Sequence, residues 1–206
     1  MSSSEPLPLI ISSPSGAGKS TLTARLRQQV ANLAFSVSHT TRSPRANEAD
    51  GREYHFTECE QFLSLVAQGR FLEWAQVHRN LYGTCRTELE RARAARGIIF
   101  DIDHQGARQL KCSLPDAVAV FILPPSMDTL LQRLRGRASE DEATVMDRFQ
   151  VARSEIAHYA MFDYVLVNDD LDRATEQLVA VFKAEECRRL RAARLAEKLL
   201  LEGRSH

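Results

Sequence analysis

Four short runs of apolar residues stand out along the chain, at positions 7–12, 98–103, 118–123 and 164–167. Each is rich in Ile, Val, Leu or Phe and lacks the alternation of apolar and polar residues that marks a strand with one face in water. Continuous apolar runs of this length are typical of parallel strands that are covered on both faces. We therefore predict four buried strands.

Amphipathic stretches separate these runs, at positions 19–31, 127–137 and 140–160 and from position 171 into the C-terminal tail. Alternating strands and helices predict an α/β core built on a parallel sheet. Positions 36–96 differ, because polar and apolar residues alternate more often there and turn signals occur at Ser43-Pro44 and Asp50-Gly51. We predict that this segment is an inserted, β-rich subdomain.

A break between two helical stretches predicts a third unit, a lid. Gly136 ends one stretch, and Ser139 forms a capping box with Glu142 that begins the next. Arginines flank the break, as expected of a segment that closes over phosphates. The predicted boundaries are a core of residues 1–35, 97–137 and 149–206, a subdomain of residues 36–96 and a lid of residues 138–148.

The composition narrows the class of protein. The 206 residues suit one domain, and 27 basic residues balance 27 acidic ones, which argues against bulk electrostatic binding to nucleic acid or membrane. No apolar stretch has the length of a membrane span, and no basic N-terminal region suggests a signal peptide. The four cysteines are far apart, which favours reduced thiols over zinc binding, with two disulfides as the alternative. We expect a cytoplasmic protein with no nucleic-acid or membrane partner.

The most specific pattern lies between the first strand and the first helix. It is a glycine-rich loop, Ser13-Pro14-Ser15-Gly16-Ala17-Gly18-Lys19-Ser20. Such a loop folds its backbone N–H groups around phosphate, while the lysine reaches the β- and γ-phosphates and the final hydroxyl binds Mg²⁺. Ser13 stands where the usual G-x-x-x-x-G-K-[ST] pattern has glycine. A helix-capping turn is the alternative, but the pattern favours a nucleoside triphosphate site.

Candidate residues for a second phosphate site follow in the inserted segment. Arg42 and Arg45 lie among several hydroxyls in a stretch that Pro44 keeps extended. Guanidinium groups bind phosphate through paired hydrogen bonds, although a solvated basic loop would have the same composition. Further along are tyrosines, a threonine and a carboxylate that could contact a second nucleotide or could equally be core and surface residues. They are Tyr54, Glu73, Tyr82 and Thr84.

Two carboxylates and three arginines are the remaining candidates for binding magnesium, the acceptor base and the transferring phosphoryl group. Asp101 and Asp103 end the second predicted strand, at the sheet edge where α/β proteins bind ligands. Asp101 suits a magnesium shell reached through water, and Asp103 could reach the acceptor base; helix capping is the alternative for both. Arg133 and Arg137 share a helix face, and Arg148 lies across the break, so the three could converge on a transferring phosphoryl group or pair with nearby acidic residues.

Several of these motifs, in this order and at this spacing, resemble the guanylate kinase family in its bacterial form, over nearly the full length. The motifs that carry the resemblance are residues 15–20, 36–42, 71–73, 82–84, 101–106, 122–126 and 167–171. The resemblance implies a P-loop nucleoside monophosphate kinase fold: a parallel-sheet core, an inserted β-rich GMP-binding subdomain and a helical lid. It also implies transfer of phosphate from ATP to GMP with Mg²⁺, with dGMP as a further expected acceptor.

The resemblance also implies roles for single residues, which fall into four groups. The GMP phosphate would be held by Ser38, Arg42, Arg45, Tyr54 and Tyr82, and guanine read by Glu73, Thr84 and Asp103. ATP would contact the loop from Ser13 through Ser20 and Thr21, together with Arg133, Arg137 and Asn168. The transferring phosphoryl group would be surrounded by Lys19, Arg45, Arg137 and Arg148. Magnesium would be held by Ser20 and Asp101.

The sequence leaves two rival functions and one structural question open. A non-catalytic binding module of the same fold would lose the ATP loop, whereas Lys19 and Ser20 are present. A kinase of a sugar phosphate would not need Glu73 and Asp103, which match guanine. The C-terminal tail, with leucines beside many arginines, fits either a core-packing helix or a contact in a homo-oligomer.

Overall fold

The computed structural model describes residues 5–77, 79–136 and 141–202. The strands are β1 Leu7–Ser12, β2 Leu33–Phe35, β3 His39–Thr40, β4 His55–Phe56, β5 Phe71–Val77, β6 Asn80–Cys85, β7 Gly97–Asp101, β8 Val118–Leu123 and β9 Tyr164–Val167. The helices are α1 Lys19–Gln29, α2 Cys59–Ala67, α3 Thr87–Arg91, α4 His104–Ser113, α5 Met127–Arg135, α6 Glu142–Ile156, α7 Leu171–Glu186 and α8 Arg189–Glu202.

Five strands form a wholly parallel sheet in the order β2-β7-β1-β8-β9. The central strand β1 is buried at every position, because helices cover both of its faces. Leu9 and Ile11 pack with residues of α1 and α7, while Ile10 packs on the opposite side with residues of α4. Coverage on both sides explains why the apolar runs of β1, β7 and β8 are continuous, and the predicted α/β core is confirmed. The prediction of a buried strand is wrong for β9, which lies at the edge of the sheet with Val165 and Val167 exposed.

A second, four-stranded sheet in the order β4-β3-β6-β5 lies within residues 36–96, between β2 and β7. It has its own small core around Phe62, Phe71 and Cys85. The hairpin of β5 and β6 is antiparallel, and β5 is an edge strand. Side chains of β5 and β6 line a cavity that residues of the parallel-sheet core also line.

Two local predictions are wrong. The capping residue of α6 is Asp141, whose carboxylate accepts a hydrogen bond from the backbone N–H of Thr144 at 2.7 Å, whereas the predicted cap Ser139 lies outside the described residues. The strand β7 ends at Asp101, and Asp103 is the N-cap of α4, accepting from the N–H of Gly106 at 2.8 Å. Helix α4 itself and strand β2 were not predicted.

Other predicted bounds differ by a few residues. Helices α1 and α5 end at Gln29 and Arg135, and α6 ends at Ile156, before a single 3₁₀ turn at Tyr159–Met161. The predicted lid boundary at residue 148 falls inside α6, where no change in secondary structure marks it. Among residues 5–77, 79–136 and 141–202, no helix is both long and apolar enough to cross a membrane. All four cysteines are free thiols.

Candidate active site

The glycine-rich loop connects the end of β1 to the first turn of α1, as the sequence predicts. Gly16 and Gly18 have φ angles of 91° and 96°, in the left-handed region where side chains are strained. A Cβ atom on Gly18 would lie 2.3 Å from the Nδ2 atom of Asn168, so no larger residue fits. The loop therefore presents backbone N–H groups at the N-terminus of an 11-residue helix, which is a phosphate-binding geometry.

Two predicted ATP-binding residues support this loop from one side. Asn168, which is buried, donates to the carbonyl oxygen of Ala17 at 2.7 Å. Arg133 reaches the same oxygen at 3.4 Å and the carbonyl of Asn168 at 3.1 Å. A cavity of about 410 Å³ opens next to them, and Thr21 and Leu171 also line it. This cavity adjoins the loop on the side away from the inserted subdomain.

Lys19 and Asp101 form an ion pair at the carboxyl edge of the parallel sheet. Lys19 is the first residue of α1, and Asp101 ends β7, where it is in register with Ile11 of the neighbouring strand β1 that leads into the loop. About a fifth of each side chain is exposed, so both can reach a ligand in the cleft. Ser20, in the first turn of α1, is exposed beside them. A carboxylate, a hydroxyl and a cation thus meet beneath the loop.

Helix α6 contacts the loop through Ser15. Arg148 donates to the hydroxyl of Ser15 at 2.9 Å, and the backbone N–H of Ser15 donates to the carboxylate of Glu155 at 3.3 Å. A carboxylate therefore binds an N–H group of the loop that would otherwise face phosphate. The segment predicted as a lid is thereby connected to the predicted ATP site.

One cavity of about 450 Å³ joins the loop to the inserted subdomain. The loop side contributes residues 13–16 and 18–20, and the opposite side contributes side chains of β5 and β6 and of positions 38, 45 and 54. Asp101 and Asp103 form its floor at the sheet edge. The predicted subdomain residues that line it are Ser38, Arg45, Tyr54, Glu73 and Tyr82.

Glu73 is an acid of this cavity whose pKa is strongly raised. Its side chain is buried on β5, and burial raises its pKa to about 7, with the nearby Asp103 carboxylate adding to the rise and hydrogen bonding to Thr84 opposing it. Thr84 in turn shares a hydrogen bond of 3.0 Å with the hydroxyl of Ser38. Gly106 allows the close approach of α4, because a Cβ atom there would lie 2.8 Å from Oε2 of Glu73.

Arg42 adopts a different position from the other predicted phosphate ligands. Its guanidinium makes two hydrogen bonds of 2.9 Å to the carboxylate of Glu48 and lies 5.4 Å from the centre of the Tyr54 ring. Arg42 is therefore held at the rim by an internal carboxylate. Tyr54 and Tyr82 lie edge to face, 5.9 Å apart, between Arg42 and the cavity.

Comparison with known proteins decides the family. A family model described as guanylate kinase matches residues 5–185. A guanylate kinase from Aromatoleum aromaticum is 49% identical over 87% of this chain and 89% of that protein, and one from Alcanivorax borkumensis is 49% identical over 90% and 88%. The crystal structure of guanylate kinase from Anaplasma phagocytophilum is 33% identical and matches with a TM-score of 0.75 over 91% of this chain and 90% of that one. This chain belongs to the guanylate kinase family.

Membership of the guanylate kinase family confirms the predicted family, fold class and enzyme class. It does not favour the rival of a non-catalytic binding module. One cavity is lined by most of the loop and by five of the predicted GMP-side residues of the subdomain, whereas Thr21, Arg133 and Asn168 line the neighbouring cavity. Thr84 and Arg42 do not line the first cavity and instead bind Ser38 and Glu48. Arg137, predicted to act on the phosphoryl group, lies outside the described residues.

Three residues at this guanylate kinase cleft were not singled out from the sequence. Glu155 lies seven residues after Arg148 on α6, and that spacing, which returns to the same helix face, is the signal that could have identified it. Glu48 lies six residues after Arg42, and Ile102 lies between the two predicted aspartates. For Glu48 and Ile102, no sequence pattern indicates that they belong to the site.

Proposed function

We propose that this cleft binds ATP and GMP end to end and transfers the γ-phosphoryl group of ATP to GMP, giving ADP and GDP. The observation that carries the proposal is the single cavity bordered by the glycine-rich loop on one side and by Arg45, Tyr54, Glu73 and Tyr82 on the other. Phosphoryl transfer requires donor and acceptor phosphates in line within one water-poor site, and it depends on positioning and charge rather than on covalent catalysis.

The acceptor would be recognised by the inserted subdomain. Guanine carries an N1–H group and an exocyclic amine, so Glu73 and Asp103 would accept from them while Thr84 adds a hydroxyl contact. The GMP phosphate would be bound by hydroxyls and guanidinium groups at the rim. These groups are Ser38, Arg42, Arg45, Tyr54 and Tyr82.

Binding of the phosphate would change the partners of Arg42. Arg42 is paired with Glu48 in the structure, and a phosphate dianion would compete for its guanidinium because charge-assisted bonds to phosphate are strong. Arg45 is exposed and can turn toward the cleft that it lines. The acceptor phosphate would thus be bound at the mouth of the cavity, facing Lys19.

The donor would bind across the loop, with its phosphates on the N–H groups of residues 15–20 and its base in the cavity beside Asn168 and Arg133. Lys19 would exchange Asp101 for the β- and γ-phosphates. Arg148, already at the loop through Ser15, would stabilise charge on the transferring group together with Arg45 and Arg137.

Magnesium fits the oxygen atoms that lie beneath the loop. Ser20 and Asp101 would hold it, since Mg²⁺ prefers hard oxygen ligands and binds mainly to substrate phosphates and water. The described residues include no cluster of three or more His, Cys, Asp or Glu side chains suited to a metal. When bound, the ion supplies positive charge to the phosphates.

A coupled assay of ADP release tests the proposal. With ATP and Mg²⁺ we expect turnover with GMP and, more slowly, with dGMP, and turnover lower by about 10⁴-fold in kcat/KM with AMP, CMP and UMP. A sugar phosphate should give none. Equal turnover of AMP and GMP, or none with any nucleotide, would contradict the proposal.

We also propose that the protein acts in the cytoplasm on these small molecules, without nucleic acid or membrane.

A further inference from the structure

Core helix α4 covers the free edge of the subdomain strand β5. The side-chain amide of Gln109 accepts from the backbone N–H of Trp74 at 3.1 Å and donates to the carbonyl of Trp74 at 2.7 Å. The hydroxyl of Ser113 donates to the carbonyl of Leu72 at 2.8 Å. Residues two apart in a strand direct their backbone groups to the same side, so Leu72 and Trp74 present the edge opposite β6. Gln109 therefore takes the place of a neighbouring strand.

The same helix carries the groups that surround Glu73. Asp103 caps its N-terminus, and Gly106 lies against Oε2 of Glu73 so closely that a Cβ atom would be 2.8 Å away. Glu73 is adjacent to Trp74, the residue that Gln109 binds at both backbone groups. Movement of β5 relative to α4 would thus change the separation between the two carboxylates.

We propose that Gln109 is a positioning residue for guanine recognition. Its two hydrogen bonds fix β5 on α4 and set Glu73 at the distance from Asp103 that matches the N1–H and amine of guanine; this rests on the proposed function. Gln109 is exposed and does not line the cleft, so it acts through Glu73 and does not touch the nucleotide.

The contact between Gln109 and Trp74 can affect both the stability of the protein and its choice of base, and the two effects can be measured separately. The hydrogen bonds connect core and subdomain and therefore add to stability, as any such contact does. A positioning role requires more: loss of the contact must change which base is accepted. Inosine monophosphate is the suitable probe, because its base keeps the N1–H group but lacks the amine.

The experiment compares wild type, Gln109→Met, Gln109→Glu and the control Arg108→Ala. Methionine keeps the length but makes neither bond, and glutamate keeps only the acceptor for the N–H of Trp74. Arg108 is the adjacent exposed residue and makes neither of the bonds to β5. For each protein, kcat and KM are measured for GMP, inosine monophosphate and ATP, together with thermal melting.

We expect Gln109→Met to raise the KM for GMP about tenfold, on the order of the loss of this hydrogen-bonded pair. The ratio of kcat/KM for GMP to that for inosine monophosphate should fall by a similar factor, while the KM for ATP stays within about twofold. Gln109→Glu should lie between wild type and Gln109→Met. Arg108→Ala should match wild type in every value.

Other outcomes distinguish the two proposals. If Gln109→Met melts earlier but keeps the wild-type ratio, the contact is only structural and the inference is wrong. The same holds if Glu73→Gln lowers the ratio and neither Gln109 variant does. If wild type does not phosphorylate GMP, the proposed function itself fails. Should Gln109→Met not fold, Gln109→Glu decides, because an unchanged ratio in it overturns the inference.

Discussion

At the scale of single residues, Glu73 combines a cost in stability with the proposed role in guanine recognition. The carboxylate is buried beside Asp103, and burial is the larger cause of its raised pKa, about 7. Beyond the hydrogen bonding to Thr84, a guanine base would supply further donors to this carboxylate. Glu73 is therefore positioned for a ligand, and its burial lowers the stability of the protein without that ligand.

The pH dependence of stability measures that cost. The pKa of Glu73 is about 7 in the folded protein and 4.5, its ordinary value, in the unfolded chain. Between these two pH values the folded protein binds a proton that the unfolded chain has lost, so the free energy of unfolding falls as pH rises. Glu73→Gln should remove a cost of up to about 3 kcal/mol above pH ~7. We expect the variant to melt higher than wild type at about pH 8 and equally at about pH 4.5.

The control for that experiment is Glu90→Gln, on α3. Glu90 is exposed, so its replacement should shift melting little at either pH. A Glu73→Gln variant that melts lower than wild type at the higher pH would contradict the assignment of Glu73 as a destabilising buried acid.

Lys19 gives a second expectation at this scale. Lys19→Ala should lower kcat by about 10²- to 10³-fold, since it removes a preorganised positive charge from the β- and γ-phosphates. Its partner Asp101 stays partly exposed, so the protein should remain folded. Steady-state kinetics and thermal melting check both statements, with Lys198→Ala, an exposed lysine of α8, as the control. Near-normal turnover in Lys19→Ala would rule out the phosphate role of the loop.

Individual site residues were predictable only where local spacing carries the chemistry. The loop residues and Lys19 follow from a contiguous pattern between a strand and a helix. Glu73 was a candidate nucleotide contact from its segment, but its role in reading guanine was indicated only by resemblance, since a glutamate within a strand has no distinguishing sequence context. The pairing of Arg42 with Glu48, and of Ser15 with Glu155, depends on folded geometry that spacing does not encode.

At the scale of elements, α6 connects the segment predicted as a lid to the glycine-rich loop through Ser15. Arg148→Ala should lower kcat by about 10²-fold and change the KM for GMP by less than about threefold, because the contact acts on charge in the transition state and lies outside the subdomain. Arg153→Ala, an exposed arginine on the same helix, is the matched control. An effect of Arg148→Ala confined to the KM for GMP would contradict this role.

A pair of stacked histidines connects α4 to the segment after α6. The rings of His104 and His158 lie 4.0 Å apart and nearly parallel, at 6°. Burial lowers the pKa of His104, and the proximity of His158 lowers it further, while Asp103 opposes the shift. Because the unfolded chain then binds more protons, stability should fall as pH drops below the ordinary histidine value of 6.5.

His104→Phe tests that statement, since phenylalanine keeps the stacking and cannot be protonated. We expect the melting temperature of the variant to fall less than that of wild type between about pH 7 and about pH 5.5. Equal decreases in the two proteins would mean that the histidine pair does not contribute to acid sensitivity.

Strands and helices were predicted correctly where the pattern of apolar residues is strong and were missed where it is weak. The bounds of β1, β8 and β9 were correct, because each is a continuous apolar run. Strand β2 has only three partly buried residues, and α4 contains Gly106 near its start, which weakens helical preference. The cap of α6 was misplaced because Ser139 and Asp141 are both good N-cap residues, and sequence alone does not choose between them.

At the scale of the whole molecule, the cleft is assembled from segments far apart in sequence. The central strand β1 pairs with β7 and β8, whose residues follow it by about 90 positions or more, and the acceptor residues come from the insertion between them. The spacing of apolar residues predicts the sheet and its covering helices. It does not predict that the glycine-rich loop and the inserted subdomain line one cavity. That association was available only from resemblance to guanylate kinases, and the structure supplies its geometry.

The bonds between α4 and β5 also bear on how the chain is made. Gln109 and Ser113 follow their strand partners by 35 and 41 residues, so β5 leaves the ribosome well before the helix that covers its edge. An uncovered edge strand can pair with strands of other chains. The nascent protein therefore passes through an interval of exposure to aggregation, which ends only when synthesis has reached α4 and the helix has docked.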